Sequence, residues 1–323
     1  MTDRPSLYVT RRLPEAVERH LRAHWDVTLS ADDRPPEPAE LAAAMARYDA
    51  LLPTITDRID AELLGRPDRR VRIVANYGAG VDHIDLDAAR AAGVVVTNTP
   101  DVLTEATPEI AILLMLMASR RAGEGERELR DGRWTGWRPS HLIGQGLAGR
   151  TLGLVGFGRI GQATAAKARG LGMRIRYASR SRVAPEVEAA LEAERAESLE
   201  ALAAQCDILS LHVPGGEATR HLVGAELLSL MPRHALLVNT ARGSVVDEAA
   251  LAEALAAGRI AGVGLDVYER EPVVRPGLLA HPRAVLLPHL GSATIEARTA
   301  MGMRAVANLD AFFRGEAPGD RVA

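Results

Sequence analysis

The sequence predicts an α/β protein built from two doubly wound, parallel-sheet domains. Three observations carry that expectation. The chain has 323 residues, and at ~100–200 residues per domain this suits two domains, each able to enclose its own core. Short aliphatic or β-branched runs alternate with helical patterns along almost the whole chain, as βαβ units do. A glycine-rich turn, Gly156-Phe-Gly158-Arg-Ile-Gly161, lies between a strand pattern and a helix pattern.

In the first hundred residues the strands are expected at Leu7–Val9, Ala50–Leu52, Val71–Val74 and Val94–Val96. Helices are expected between them, around Glu15–Ala23, Ala39–Ala46 and Leu86–Ala91, and Arg34-Pro-Pro-Glu-Pro38 reads as a stiff surface connection. A long apolar helix follows over Pro108–Arg120, with the proline near its first turn. A cleaner alternation then gives six strands: Thr151–Val155, Met173–Ala178, Asp207–Leu211, Ala235–Thr240, Ala261–Val267 and Ala284–Leu287. After Pro288 the pattern returns to helix over Ala293–Phe313. That last helix is expected to pack back on the first domain and make it discontinuous in sequence.

Composition narrows the function. Hydrophobic residues make up 47 % and charged residues 25 %, as in ordinary globular proteins. The longest apolar run, Ile110–Ala118, is nine residues, too short for a bilayer that needs ~20. The N-terminus lacks an apolar signal core, so the expected location is cytoplasmic. Net charge is −3, which offers no attraction to nucleic acid or an anionic membrane. Cys206 is the only cysteine, which excludes an intramolecular disulfide and a cysteine-cluster metal site, and no metal is expected. Of the 39 basic residues only Lys167 is lysine. Arginine is therefore background here, and only arginines at defined motif positions carry meaning.

The glycine turn has the strand before it and the helix after it that a dinucleotide fingerprint requires. Gly156 permits the tight turn, Gly158 lets a pyrophosphate approach the backbone, and Gly161 lets helix pack on strand. Both domains are accordingly expected to be Rossmann-like. About 20 residues on, a carboxylate normally binds the adenosine 2′-hydroxyl. This chain has Ser179-Arg180-Ser181-Arg182 there. A hydroxyl and two arginines suit a 2′-phosphate, so NADPH is the expected coenzyme, with NADH used less well.

Three ionisable residues end successive segments of the second half. Arg242 follows the strand ending at Thr240, Glu271 follows Leu265-Asp-Val-Tyr-Glu-Arg, and His289 follows Leu286-Leu-Pro288. In an open α/β sheet the ligand crevice lies beyond the carboxyl ends of the strands, where these three fall. A lone His after a strand is usually structural, but joined to Arg and Glu at equivalent strand ends beside a nucleotide loop it reads as functional.

With these motifs the sequence resembles the D-2-hydroxyacid dehydrogenases over nearly its whole length. The motifs are Asn76-Tyr-Gly-Ala-Gly-Val-Asp82, Thr97-Asn-Thr-Pro100, Gly156–Gly161, Asn239-Thr-Ala-Arg-Gly-Ser-Val-Val-Asp247, Gly264-Leu-Asp-Val-Tyr-Glu269 and Pro288-His-Leu-Gly-Ser-Ala293. Within that family it looks most like the glyoxylate/hydroxypyruvate reductases, through Thr99–Thr104, Trp134-Thr-Gly-Trp137 and Ser179-Arg180. The resemblance implies a substrate domain from residues 1–100 and 290–323 and a coenzyme domain from 101–289. Arg242 would bind the 2-oxo acid carboxylate and polarise its carbonyl, His289 would donate the proton, and Glu271 would hold the imidazole. Leu52, Ala79, Gly80 and Val81 would join Arg242 and His289 at the substrate. Implied coenzyme contacts are Thr104, Gly156, Gly158, Arg159, Ile160, Gly161, Ser179, Arg180, Ser181, Arg182, Val213, Pro214, Thr219, Thr240, Ala241, Arg242, Asp266, His289 and Gly291, with Asp266 on the nicotinamide amide. A homodimer is expected, with Trp134 and Trp137 as candidates to reach the partner.

The chain departs from the family at Pro108-Glu109, where Ala-Asp is usual, at the start of the hinge-crossing helix. Other substrates of the same chemistry (3-phosphoglycerate, a bulkier 2-oxo acid, formate or phosphite) remain alternatives. A dinucleotide-sensing corepressor-like scaffold is a further one.

Overall fold

A computed structural model of the chain describes residues 4–323; Met1–Asp3, part of the N-terminal stretch read for a signal, lie outside it. The chain divides into two compact units. One comprises the residues up to Leu103 together with Ala293–Ala323, and the other is Thr104–Ser292. The divisions fall at 103/104 and 292/293, a little beyond the expected 100/101 and 289/290. The helix of the first crossing begins only at Ala106, and that of the second at Ile295.

The first unit holds a five-stranded sheet. Its strands are β1 (Ser6–Val9), β2 (Asp26–Leu29), β3 (Ala50–Leu52), β4 (Ile73–Ala75) and β5 (Val95–Thr97), in the order β2-β1-β3-β4-β5. All pairs are parallel. β2 was not expected. It is an edge strand whose residues alternate between exposed and half-buried, so it lacks the aliphatic run that marks the buried strands. β3 and β4 are buried throughout, as strands covered on both faces must be. The C-terminal helix Ile295–Phe313 packs Met301, Ala305, Val306 and Leu309 into the same core as Leu7, Val9 and Val17. Beyond it the chain returns to β5: Thr97 bridges Arg321, and the Val322 and Ala323 amides donate to the Val96 carbonyl at 2.8 and 3.3 Å.

The second unit holds seven parallel strands. They are β6 (Thr151–Val155), β7 (Arg174–Ala178), β8 (Ala193–Arg195), β9 (Ile208–Leu211), β10 (Leu236–Asn239), β11 (Gly262–Leu265) and β12 (Ala284–Leu286), in the order β12-β11-β10-β9-β6-β7-β8. Six of these match the expected strands. β8 was missed because Ala193-Glu-Arg195 is short and polar, a sequence that only an edge position tolerates. The order reverses between β6 and β9, the switch point at which doubly wound sheets bind ligands. The apolar helix runs Ala106–Ser119 and buries Ala111, Leu114, Met115 and Ala118 with Leu152, Leu154 and Val238. Among the described residues, no helix is long and apolar enough to cross a membrane, and no group of three or more His, Cys, Asp or Glu could hold a metal ion. Cys206 precedes β9 and sits in the core, where burial pushes its thiol up to about 12.

Candidate active site

Every sequence-predicted group of the second unit apart from Thr104 follows the carboxyl end of a parallel strand or the loop just beyond. The glycine turn follows β6, Ser179 to Arg182 follow β7, Val213 and Pro214 follow β9, and Thr240 to Arg242 follow β10. Asp266 and Glu271 follow β11, and His289 follows β12. One edge of one sheet thus gathers residues spread over more than a hundred positions.

The glycine turn fits a dinucleotide on steric grounds. Gly156 has φ +88°, and a Cβ there would stand 2.5 Å from the His212 carbonyl oxygen. Only glycine serves at that position. A Cβ on Gly161 would stand 2.6 Å from the Gly156 carbonyl oxygen, so this position permits the close approach of helix and strand. Above Gly158 a Cβ would meet nothing within 4 Å, leaving open space over the start of the helix Arg159–Gly170 for a diphosphate. Behind the turn, burial pushes the His212 imidazole down to about 4, and its Nε2 pairs with Ser210 Oγ at 2.9 Å. Thr240 Oγ1 is buried with no hydrogen-bond partner, a polar atom left for a bound group to satisfy. The Thr219 hydroxyl, in contrast, is turned into its own loop and donates to the Pro214 carbonyl at 2.7 Å.

His289 and Glu271 meet directly, Nδ1 to Oε2 at 2.8 Å. Both side chains are about a third exposed or less. Burial works to raise the Glu271 carboxyl. The bond and charge from His289, the Tyr268 N–H and the Arg242 charge outweigh it and leave Glu271 below the usual carboxylate range. The Arg242 guanidinium donates from Nη1 to the Ala241 carbonyl at 2.9 Å.

Several residues that the sequence reading did not single out hold this geometry. Tyr268 donates its N–H to Glu271 Oε1 at 3.0 Å and its hydroxyl to the Leu287 carbonyl at 2.8 Å, tying the Glu271 loop to the segment carrying His289. Buried Glu248 accepts from the Glu269 N–H at 2.7 Å. Gly243 lies against the Tyr268–Glu269 peptide so closely that a Cβ would stand 1.8 Å from the Tyr268 carbonyl carbon. The turn after Arg242 is thereby pressed onto the loop that leads to Glu271. Of these, Gly243 and Tyr268 lay in quoted motifs, and only the glycine signals a close approach.

Asp266 is placed differently from its expected role. It is 1 % exposed, and its Oδ1 and Oδ2 accept from Leu290 N and Gly291 N at 2.6 and 2.7 Å. Burial pushes its carboxyl up, against those bonds. His289 has φ +54°, a left-handed conformation that costs a non-glycine residue about 1–3 kcal/mol. The bond from His289 N to the Asp266 carbonyl at 2.9 Å and the two bonds beyond it hold that conformation. Asp266 thus braces the segment that carries His289.

In the first unit, Ala79, Gly80 and Val81 are half-buried. Asn76 donates from Nδ2 to the Gly78 and Gly80 carbonyls, each at 2.9 Å, and so shapes that turn. Leu52 is the one substrate candidate the structure removes. It is fully buried in the core with Leu7, Val9 and Ile73, because β3 is a central strand covered on both faces, and it has no surface to offer. Arg182 also differs from expectation, since its guanidinium grips both oxygens of Glu188 at 3.0 and 2.7 Å.

A doubly wound sheet with a dinucleotide turn and an Arg, Glu and His at neighbouring strand ends defines a nucleotide-dependent oxidoreductase. Residues 112–291 match the family model described as D-isomer specific 2-hydroxyacid dehydrogenase, NAD binding domain. The chain belongs to that family, as an enzyme that uses a nicotinamide dinucleotide. It is 43 % identical over 323 residues to the glyoxylate reductase of Thermococcus litoralis, covering 99 % of this chain and 97 % of the relative. A putative D-isomer specific 2-hydroxyacid dehydrogenase structure from Polaromonas superposes with TM-score 0.92 at 35 % identity, covering 99 % of each chain. The NADPH-dependent glyoxylate/hydroxypyruvate reductase of Sinorhizobium meliloti, solved with NADP and malonate, superposes with TM-score 0.86 at 36 % identity. There 99 % of this chain and 97 % of the other are covered.

Proposed function

We propose that this enzyme is an NADPH-preferring reductase of small 2-oxo acids, converting glyoxylate to glycolate and hydroxypyruvate to D-glycerate. The observation that carries the chemistry is the 2.8 Å His289–Glu271 bond in the same strand-end group as Arg242 and the glycine turn. The names of the T. litoralis and S. meliloti relatives support the substrate class. The bound coenzyme would supply a hydride to the carbonyl carbon. His289 gives the carbonyl oxygen its proton, Glu271 holds the imidazole by Nδ1 so that Nε2 is the donor, and Arg242 pairs with the substrate carboxylate. Within the first unit, the backbone N–H groups of Ala79, Gly80 and Val81 are the proposed substrate donors. The unit containing residues 4–103 and 293–323 takes the substrate role, and Thr104–Ser292 the coenzyme role.

The coenzyme preference rests on the end of β7. No carboxylate stands at Ser179 or Arg180, and Arg180 is exposed with no ion pair among the described residues. A steady-state screen of 2-oxo acids with each coenzyme tests both halves of the proposal. Glyoxylate and hydroxypyruvate should give the highest kcat/KM, and NADPH the lower KM by roughly 10-fold or more, the worth of one charged hydrogen bond. A preference for phenylpyruvate or 2-oxoisocaproate would overturn the substrate assignment, and equal KM values for the two coenzymes would overturn the preference.

A homodimer belongs to the same proposal. Leu129, Trp134, Trp137 and Ile143 are 51–83 % exposed, and such a cluster of large apolar side chains marks an interface rather than a solvated surface. Light scattering should give twice the chain mass, and Trp137→Asp should shift the protein toward monomer. A monomeric parent would remove this part.

A further inference from the structure

The carboxyl edge of β7 and β8 carries a cation that the proposed function does not use. Arg195 ends β8, opposite Tyr177 in the parallel register. Its Nη2 donates to the Ser179 carbonyl at 3.1 Å, which puts its charge beside the residue where a ribose-binding acid would stand. A carbonyl is a weak partner for a guanidinium, and no carboxylate oxygen pairs with Arg195 among the described residues.

Arg182 is the second arginine that the sequence places after Arg180, but it is already engaged. Glu188 takes both its Nε and its Nη2, and the Tyr177 hydroxyl donates to the same carboxylate. The bonds from Arg182 and Tyr177 hold the Glu188 carboxyl down to about 2, so it stays charged near neutral pH opposite Arg182. A cavity of about 710 Å³ opens at this edge, lined in part by Arg182, Glu188 and Arg195. Glu192, Glu194 and Glu197 also line it, and Arg169 and Arg176 pair with the first two. Beside Ser179, Arg180 and Arg195 are the arginines with no ion-pair partner among the described residues, and the Arg195 charge also reaches Glu188.

A phosphate monoester carries nearly two negative charges near neutral pH, and one exposed arginine leaves half of that unmatched. We propose that Arg195 is a specificity-determining residue that receives the 2′-phosphate of NADP(H) together with Arg180, while Arg182 stays on Glu188. This rests on the NADPH preference proposed for the same site. Arg195 has only to exchange a carbonyl for a phosphate oxygen. Arg182 would have to abandon a bidentate ion pair, and Glu188 would then repel the ligand.

The test is direct binding. Dissociation constants for NADPH and NADH are measured by nicotinamide fluorescence, and for adenosine 2′,5′-bisphosphate and 5′-AMP by calorimetry, on the parent and on Arg195→Ala and Arg195→Lys. Arg195→Ala should weaken NADPH and the bisphosphate by roughly 5- to 20-fold, as loss of one charge-assisted bond at an exposed site would. NADH and 5′-AMP should change less than about twofold, with lysine restoring part of the loss. If the parent prefers the 2′-phosphorylated ligands and Arg195→Ala keeps that ratio, Arg195 is wrongly assigned and the coenzyme reading stands. A larger loss in Arg182→Ala than in Arg195→Ala also overturns the choice between them. A parent that does not discriminate the 2′-phosphate overturns both the inference and the preference beneath it.

Discussion

His289→Ala is expected to lower kcat by ~10²–10⁴, the worth of a general acid, while coenzyme affinity stays nearly unchanged. The Nδ1 of the imidazole is committed to Glu271, leaving Nε2 for the substrate oxygen. The backbone at 289 is held through Asp266 independently of the side chain, so alanine should not disturb the fold. Glu271→Gln should cost less, because an amide oxygen still accepts from the Tyr268 N–H. Its signature is in the pH profile. The Glu271 carboxyl is depressed in the folded protein, so the charged pair is present above the usual carboxylate value and is lost as pH falls through the lower folded value. The glutamine variant has no such charge to lose, so that acidic fall should vanish. An unaltered kcat in His289→Ala, measured at saturating coenzyme and glyoxylate, would remove the proposed acid.

Arg242→Lys is expected to raise the KM for glyoxylate by roughly 10- to 150-fold, the range of a lost charged hydrogen bond, and to lower kcat as well. A guanidinium presents a planar fork that matches a carboxylate with two bonds, whereas an ammonium is a single point charge. Arg242 is also held by the Ala241 carbonyl and by the turn pressed onto Tyr268 through Gly243, so its direction is set before substrate arrives. Lysine keeps the backbone turn packed through Gly243 but lacks the planar fork. The fall in kcat is expected because the proposed mechanism has the same cation polarise the carbonyl. A lysine variant that binds and turns over glyoxylate like the parent would show that the carboxylate is held elsewhere.

Much of this enzyme was legible before any coordinates. The alternation of apolar runs with helical patterns placed six of the seven strands of the second unit, since strands buried on both faces must be continuously apolar. The glycine turn, Ser179-Arg180 and the three strand-end residues were found by spacing alone, because parallel strands deliver their carboxyl ends to one edge whatever loops intervene. The two missed strands, β2 and β8, are both edge strands, and an edge does not demand an apolar run. Leu52 was misassigned for a related reason. Its position near a strand end suggests access, and only the placement of β3 at the centre of the sheet shows it fully enclosed.

The sequence by itself determined which residue types stand at the strand ends, and so the class of chemistry. Tertiary structure alone decided which of them are committed to one another. It turned Asp266 inward onto Leu290 and Gly291, recruited Tyr268 to hold Glu271 and Glu248 to hold the Glu269 amide, and took Arg182 for Glu188 while leaving Arg195 beside Ser179. The physical reason is that a polar side chain takes the best partner within about 3 Å. Which partner comes that close depends on the packing of elements far apart in the chain, and spacing along the sequence does not record it.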